Sequence, residues 1–211
     1  MRRSPWPALL VLLLASTILA GCGMVAAGAV ALARDPERTV KALYNPAGKA
    51  VAVIPFTYQG HRPFETEHGL VLAETLEKEL RVHVKKVRIV PAAKAKDYLT
   101  GIAPAEVDSG LLAEMLGADV VISGEILEVR LSDNLNRMDA NVRVEAYDAK
   151  AHAIVLREDV AARYPEVHSL TRMDLSRPGS FRGAIESAGR AVGRLFYNHR
   201  VPNMPTGSLH E

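Results

Sequence analysis

The side chain best suited to chemistry in this chain is the thiol of Cys22, the single cysteine among 211 residues. A thiolate is a nucleophile that can be acylated, oxidised or joined to another thiol. A lone cysteine in an exported chain has no partner for an internal disulfide. It lies directly after an apolar stretch from Ala8 to Ala20 and a glycine. We therefore predict that this thiol is modified covalently, because neither a disulfide nor a catalytic constellation accounts for it.

The stretch before the cysteine has the layout of a secretory signal peptide. The chain opens with two arginines near Met1, continues with an apolar run and ends in small residues, as such signals do. The residues Leu19, Ala20, Gly21 and Cys22 resemble the lipobox of bacterial lipoproteins. This resemblance implies that residues 1–21 are removed and that Cys22 is diacylated, with palmitate among the expected lipids and an acylated amino terminus.

The lipobox resemblance also implies a location. Two lipid signals hold a protein stably on a bilayer, whereas one acyl chain binds only marginally. Gly23 follows the cysteine, where an aspartate would favour retention in the inner membrane, so we expect an outer-membrane anchor facing the periplasm. The alternative is an uncleaved membrane helix, since Ala8 to Ala33 runs without a charge and a span needs about 20 apolar residues.

Charge and length limit what the chain after the predicted signal peptide can bind and how many domains it can form. The chain has 26 Lys and Arg against 24 Asp and Glu, and 24 of each sign remain once Arg2 and Arg3 leave with the signal. No basic field is left to attract nucleic acid. We expect a lipidated tether over residues 22–48, one α/β domain over residues 49–200 and a disordered tail over residues 201–211.

Hydrophobic periodicity predicts an α/β fold with an α+β tendency, in the order β-α-β-α-α-β-β-β-α. The clearest elements are a buried strand at Ala50–Phe56, a helix at Glu65–Val84 and an amphipathic C-terminal helix at Phe181–His199. Helical crossovers make the first three strands parallel, and short turns make the last three antiparallel. The expectation is a mixed sheet of about five strands with helices packed on it.

The strand predicted at Val120–Leu131 changes its apolar face part-way. Val120, Ile122 and Ile126 have one parity, whereas Leu127, Val129 and Leu131 have the other. A strand changes its buried face only through a bulge, a strong twist or a change of cover. We place the bend at Gly124.

Two motifs carry a further resemblance. A strand that ends in Pro55-Phe56 leads to a helix, and Gly117-Ala118-Asp119 leads into a strand with a central glycine. These features resemble a group of periplasmic α/β domains that includes the amino-terminal domain of TolB, the curli secretion lipoprotein CsgG and the lipoprotein activators of penicillin-binding proteins. The resemblance implies a shared scaffold that serves different binding tasks, so fold does not settle activity.

The search for a catalytic, cofactor or metal site finds none to name. The seven histidines are scattered, and the spacing of His61 and His68 is not that of a zinc site, so both are predicted to be solvated. Ser123 lacks the preceding glycine of a nucleophile elbow.

The last helix suggests an interaction surface instead. Gly189 and Gly193 are four residues apart, which permits close approach of another backbone, from this chain or from a partner. Arg182, Arg190 and Arg194 form the opposite, charged face, which is either solvated or part of the same partner surface.

Three function hypotheses follow. The first is a non-enzymatic, lipid-anchored envelope protein that presents its α/β domain to a protein partner in envelope assembly, trafficking or maintenance. The second is a subunit of an oligomeric secretion or channel complex like that of CsgG, with self-association. Charges at Arg143, Glu145, Arg157 and Asp159 oppose it, because a lipid-facing band needs apolar side chains. The third is an envelope hydrolase with an unrecognised site.

Overall fold

The computed structural model describes residues 38–58, 67–99, 108–132, 137–165 and 178–201. Residues 1–37 and 202–211 lie outside the described residues, and with them the predicted signal, Cys22, most of the tether and the tail. Residues from Val40 to His199 form one compact unit, and the described residues of the second unit are Arg38, Thr39, Arg200 and Val201. Strands β1 (Arg38–Val40) and β8 (His199–Val201) form a two-stranded sheet.

The main sheet has six strands and mixed direction. They are β2 (Ala50–Val53), β3 (Thr57–Tyr58), β4 (Arg88–Val90), β5 (Val120–Ser132), β6 (Arg137–Asp148) and β7 (Ala153–Tyr164). The order is β4-β2-β5-β6-β7, and the short strand β3 pairs with β5. β2 is parallel to β4 and β5, whereas β5, β6 and β7 are antiparallel neighbours. This confirms the predicted mixed α/β sheet.

Four helices cover the sheet from two sides. They are α1 (Glu67–His83), α2 (Ala92–Leu99), α3 (Ser109–Leu116) and α4 (Pro178–Gly193). α1 and α4 pack on the face that carries Val51 and Val53, and α2 and α3 pack on the face that carries Ala52 and Ile54. All four of these side chains in and after β2 are buried because the strand is covered on both faces, as expected of parallel strands.

The helix α3 is fixed at both ends by capping. The Asp108 carboxylate accepts the N–H of Gly110 at 2.7 Å, and Gly117 ends the helix in the left-handed region at φ 60°. An N-cap carboxylate and a left-handed C-terminal glycine satisfy otherwise unpaired backbone groups. α3 therefore spans only eight residues, and no other helix of the described ranges continues over the part of the sheet beyond it.

The change of face in β5 is confirmed, but the position predicted for it is wrong. The β5–β6 pairing runs unbroken through Gly124 and shifts between Ile126 and Glu128, so Leu127 is the bulged residue. Gly124 is required for another reason. A Cβ there would overlap the Arg143 carbonyl oxygen and would lie 2.5 Å from the Phe56 ring.

Three boundaries also differ from the sequence prediction. The sequence predicts a loop from Tyr58 to Pro63, but Tyr58 lies with Thr57 in strand β3, which pairs in parallel with β5. The clean alternation from Asn141 to Tyr147 predicts the next strand, but β6 begins at Arg137, since buried Met138 and Ala140 continue its alternation. The last helix ends at Gly193, ahead of the predicted His199, and the next residues form a turn whose Leu195 carbonyl accepts the N–H of Leu43 at 2.8 Å.

Candidate functional site

One side of β5, β6 and β7 is not covered by any helix of the described residues. In β6 the even-numbered residues are buried against α1 and α4, whereas the odd-numbered residues are half-buried or exposed. α3 reaches only the end of this other side, where Tyr147 packs with Leu112. We call the rest of it the uncovered face. It comprises Ser123, Glu125, Glu128, Arg130, Arg137, Asp139, Asn141, Arg143, Glu145, Arg157, Asp159, Ala161 and Arg163.

The bulge at Leu127 extends this face along β5. Before the bulge, Glu125 lies opposite Arg143 in the β5–β6 register, and after it Glu128 lies opposite Asn141 and Arg130 opposite Asp139. Without the extra residue, Glu128 and Arg130 would point toward the core beneath α4. The bulge thus keeps the apolar residues on the core side and the charges on the uncovered face.

Cross-strand ion pairs order the face. Arg143 donates to both Asp159 oxygens at 2.9 and 3.2 Å, and Arg157 donates to Glu145 at 2.7 Å. The hydrogen bond from Arg143 lowers the pKa of Asp159, and the same bond raises the pKa of Arg143. Directly opposite residues of opposite charge are the favourable arrangement on an antiparallel sheet. The structure thus pairs these exposed charges across neighbouring strands.

A shallow depression of about 600 Å³ lies at the β6–β7 end of the face. Four of its lining residues belong to the two ion pairs, and the fifth, Glu158, lies on the outer edge of β7. The other end of the face is tighter. There Arg137 Nε and Asp139 Oδ1 are enclosed, 3.7 Å apart, and have no hydrogen-bond partner among the described residues. This enclosed spacing suits a bridging water.

The face is mixed in charge and balanced. It carries five arginines and five carboxylates, and the signs alternate across the strands rather than separating into patches. A balanced surface does not draw in a polyanion through long-range attraction. In the described ranges no three His, Cys, Asp or Glu side chains are grouped to hold a metal ion. Pairwise recognition of another polar surface is the chemistry that this arrangement supports.

The glycines predicted as a partner surface contact helix α1 of the same unit. A Cβ at Gly189 would lie 2.8 Å from Thr75 Cβ, and a Cβ at Gly193 would lie 2.8 Å from Glu79 Cβ. Both glycines are buried. The four-residue spacing therefore does bring another backbone close, but this backbone is α1 rather than the sheet or a second protein.

The arginines predicted with them are in different environments. Arg182 is exposed and donates to Glu67 of α1 at 2.9 Å and to Glu186 at 3.1 Å. Arg190 is half-buried and donates to the Ser187 hydroxyl at 3.3 Å. Arg194 is half-buried in the turn after α4. Burial, and then the hydrogen bond to Glu79, raise the pKa of the nearby Tyr197, against a smaller lowering by Arg194. The three arginines do not form one free basic surface.

Sequence reasoning also missed the environment of His68. The imidazole is half-buried, 5.4 Å from the Tyr58 ring and 4.6 Å from the Phe181 ring, measured between centroids. The prediction of a solvated side chain is wrong for this residue, because β3 brings Tyr58 beside the start of α1. His61 lies outside the described residues.

A second cluster joins the segment before β2 to the end of β6. Lys49 Nζ lies 2.5 Å from Asp148 Oδ2, and the Tyr44 hydroxyl donates to the same oxygen at 2.7 Å. The other Asp148 oxygen accepts the N–H groups of Lys150 and Ala151 and thereby holds the β6–β7 turn. The hydrogen bond from Lys49 lowers the pKa of Asp148 strongly, and it raises the pKa of Lys49 to about 12. A lysine held this firmly as an ammonium is a structural cation rather than a nucleophile.

We expect Asp148→Asn to reduce the free energy of unfolding at pH 7 by about 2 kcal/mol, because a buried charged acceptor is lost. The depressed pKa means that this contribution is present above the ordinary pKa of aspartate, about 3.9, and is lost as the pH falls below it. Urea unfolding of both proteins from pH 7 to pH 3 measures the effect. The difference in stability should begin to shrink near pH 4 and should still be largely present at pH 3, because the pKa of Asp148 in the folded protein lies far below its ordinary value. Asp159→Asn, in an exposed pair, is the matched control with a much smaller effect. An equal loss in the free energy of unfolding for the two variants would show that the cluster around Asp148 stabilises the protein no more than an exposed ion pair does.

Comparison with known proteins gives similarities of low identity. No family model and no curated protein matches the chain. The PelC dodecamer from Paraburkholderia phytofirmans has a TM-score of 0.46 and 15% identity, with 77% of this chain and 98% of that chain covered. The lipoprotein GNA1162 from Neisseria meningitidis has a TM-score of 0.42 and 15% identity, with 59% of this chain and 88% of that chain covered. The LpoB C-terminal domain from Escherichia coli has a TM-score of 0.37 and 18% identity, with 55% of this chain and 83% of that chain covered.

The solved structures similar to this chain thus include a bacterial lipoprotein. Values of this size assign no activity, ligand or partner, and the resemblance to the TolB and CsgG group stays a prediction. No helix in the described ranges combines the length and apolar character needed to cross a bilayer.

Proposed function

We propose that this chain is a non-enzymatic lipoprotein of the cell envelope, anchored through Cys22, that binds a protein partner with its uncovered face. The observation that carries the proposal is the face itself, which consists of three long strands with ordered charges and no helix of the described residues over them. The anchor rests on the lipobox resemblance. We further propose that the anchor is in the outer membrane and that the domain faces the periplasm.

The uncovered face is packed in a way that makes it a rigid surface for binding a partner. β5, β6 and β7 contain 13, 12 and 12 residues, and their opposite side packs into the core with α1 and α4. Most interfaces of pre-organised complexes move little on binding. Because the ion pairs already hold the arginines across neighbouring strands, a partner gains hydrogen bonds with less ordering of flexible side chains.

The charge pattern defines the chemistry of the partner. Alternating arginines and carboxylates select a polar protein surface that bears the complementary alternation, and they reject surfaces of one sign. The reach of the predicted tether limits where that partner lies. Residues 23–39 separate Cys22 from Val40, where the compact unit begins, and a chain of this length spans at most ~60 Å when fully extended. The partner is therefore expected close to the membrane that holds the anchor.

Site-specific photo-crosslinking in the native envelope tests the face. A photoreactive residue at Glu128, about half exposed on the uncovered face, should give an adduct of discrete mass. The matched position is Glu74, exposed on α1, which should give none. Equal adducts at both positions would contradict the proposal, and turnover of a cell-wall substrate by the purified chain would contradict its non-enzymatic part.

A charge swap shows whether the adduct depends on the pattern. The double variant Arg143→Asp with Asp159→Arg keeps an opposite-charge pair across β6 and β7 but reverses its direction. We expect it to reduce the Glu128 adduct at least about fivefold, because each charge then meets its like on the partner. The same swap at Arg182 and Glu186 on α4 is the control and should leave the adduct unchanged. An adduct that survives the first swap would place the partner elsewhere.

A further inference from the structure

The outer edge of β7 borders the uncovered face and offers a different kind of contact, through its backbone. β7 pairs with β6 from Ala153 to Tyr164 with a bulge at Val155, and in the described residues no strand pairs with its other side. The opposite edge strand of the sheet, β4, has three residues. A long unpaired edge presents a row of backbone N–H and C=O groups ready to bind another strand.

The side chains of β7 show which strand fits. Leu156 and Ala162 are buried and Val160 is half-buried, whereas Arg157, Asp159 and Arg163 project on the uncovered face with alternating sign. At one end Ile154 and Val155 are 45% and 38% exposed. The edge therefore combines side chains of alternating charge with apolar side chains that are partly exposed.

We propose that β7 pairs antiparallel with β7 of a second copy of this chain, with Glu158 at the two-fold axis. A two-fold perpendicular to the sheet keeps the uncovered faces of both copies on the same side. Arg157 of each copy then lies opposite Asp159 of the other, so that two opposite-charge pairs form. The regular part of the pairing runs from Leu156 to Val160, because the bulge at Val155 interrupts β7 in each copy.

This register continues the charge order that the structure already contains. Glu145 pairs with Arg157 and Asp159 pairs with Arg143 within one chain. Across the proposed interface, the four adjacent strands would read Glu145, Arg157, Asp159 and Arg143 in sequence, alternating in sign throughout. Opposite charges directly across neighbouring strands are favourable, and like charges are unfavourable.

Other face-preserving registers fit less well. A two-fold axis at Arg157 or at Asp159 places that residue opposite the same residue of the other copy, so that like charges meet. An axis at Val160 places Arg157 opposite Arg163 of the other copy, which are also alike in charge. An axis at Ala161 places Asp159 opposite Arg163, which is complementary, over residues 158–164, but Arg163 is 3.8 Å from Asp139 within its own chain. The axis at Glu158 instead joins the two shorter ion pairs, Arg143–Asp159 at 2.9 Å and Arg157–Glu145 at 2.7 Å, and Leu156 then lies opposite Val160. In the Glu158 register the one like-charged pair is Glu158 opposite Glu158 of the other copy, and both side chains are exposed.

Disulfide trapping tests both the pairing and the register. In the full chain with Cys22→Ser, the introduced thiol is the only one. Opposite Cα atoms of an antiparallel pair are about 4.5–5.5 Å apart, within disulfide range, so Glu158→Cys should form a covalent dimer. Ala161→Cys places the two thiols about 20 Å apart in this register and should remain monomeric. Glu74→Cys on α1 measures random collision.

We expect the Glu158→Cys dimer to form at least about tenfold faster than the Glu74→Cys dimer. Adding Asp159→Arg should reduce this rate about tenfold, because Arg157 then meets an arginine. Preferential trapping at Ala161 would overturn the register, and equal rates at all three positions would overturn the pairing. Sedimentation of the unsubstituted chain gives an independent readout, in which a monomer at all concentrations would also overturn it. These results do not depend on the Glu128 adduct, so this inference and the proposed function can fail separately.

Discussion

Gly69→Ala should destabilise the protein by about 3 kcal/mol, at the upper end of the usual cost of overpacking. A Cβ at this position in the first turn of α1 would overlap the carbonyl oxygen of Phe56 and would lie 2.9 Å from its carbonyl carbon. Backbone atoms cannot rotate aside as a side chain can. The helix would have to move away from the segment after β2, which would break the hydrogen bond from Phe56 N–H to the Gly69 carbonyl at 3.3 Å.

Urea unfolding of Gly69→Ala beside Gly110→Ala measures this effect. Gly110 is also in the first turn of a helix, but a Cβ there meets the Tyr147 hydroxyl at 3.0 Å, the far end of a side chain that can shift. The control should change the free energy of unfolding by less than about 1 kcal/mol. Equal effects at the two positions would mean that helix propensity, and not the approach to Phe56, decides the result.

Cys22→Ser should abolish lipidation completely, because a hydroxyl does not replace the thiol as the acylated group. Incorporation of labelled palmitate measures this outcome directly, and mass spectrometry of the unsubstituted protein should show a chain that begins at Cys22 and carries acyl groups. Met24→Ser, two residues later, is the control that should retain full labelling. Two acyl signals hold a protein firmly on a bilayer, so the unsubstituted chain should sediment with membranes.

The same measurement separates the anchor from the uncleaved helix. An intact Met1 with an unmodified sulfur would favour a membrane span over Ala8–Ala33 and would remove the basis for the proposed location. Label that persists in Cys22→Ser would place the lipid on another residue. Either result would leave the uncovered face and the β7 edge as they are, because both rest on contacts within the domain.

Much of the fold could be predicted because it is encoded locally. The apolar run of β2 predicts a strand covered on both faces. The helical spacing of Leu70, Ala73, Leu76 and Leu80 predicts the buried side of α1, although Leu70 is only half-buried. The parity change in β5 likewise predicts a change of buried face, which the structure achieves with a bulge. Its position could not be predicted, because Gly124 is equally suited to a bend until the Phe56 ring is known to occupy the space beside it.

The uncovered face could be predicted only in part. Alternation shows that Arg143 and Glu145 lie on the polar side of a strand, but it does not show whether a helix covers that side. This depends on α3 ending at Gly117 and on α4 packing on the opposite face, which are long-range facts. The spacing of Gly189 and Gly193 similarly predicts a close approach without identifying its partner, which proves to be α1.

The cluster around Lys49 determines how the domain would carry mechanical load. Tension arriving from the amino-terminal side would first meet the pairing of β1 with β8 and the hydrogen bond from Ala42 N–H to Asn198. The bonds of Leu43 and Tyr44 to the Leu195 carbonyl would come next. The tension would then meet the Lys49–Asp148 pair before it reached β2. A force applied through a membrane tether would thus be distributed over the turn after α4 and the end of β6. The strand β2 would be protected from being pulled out of the sheet.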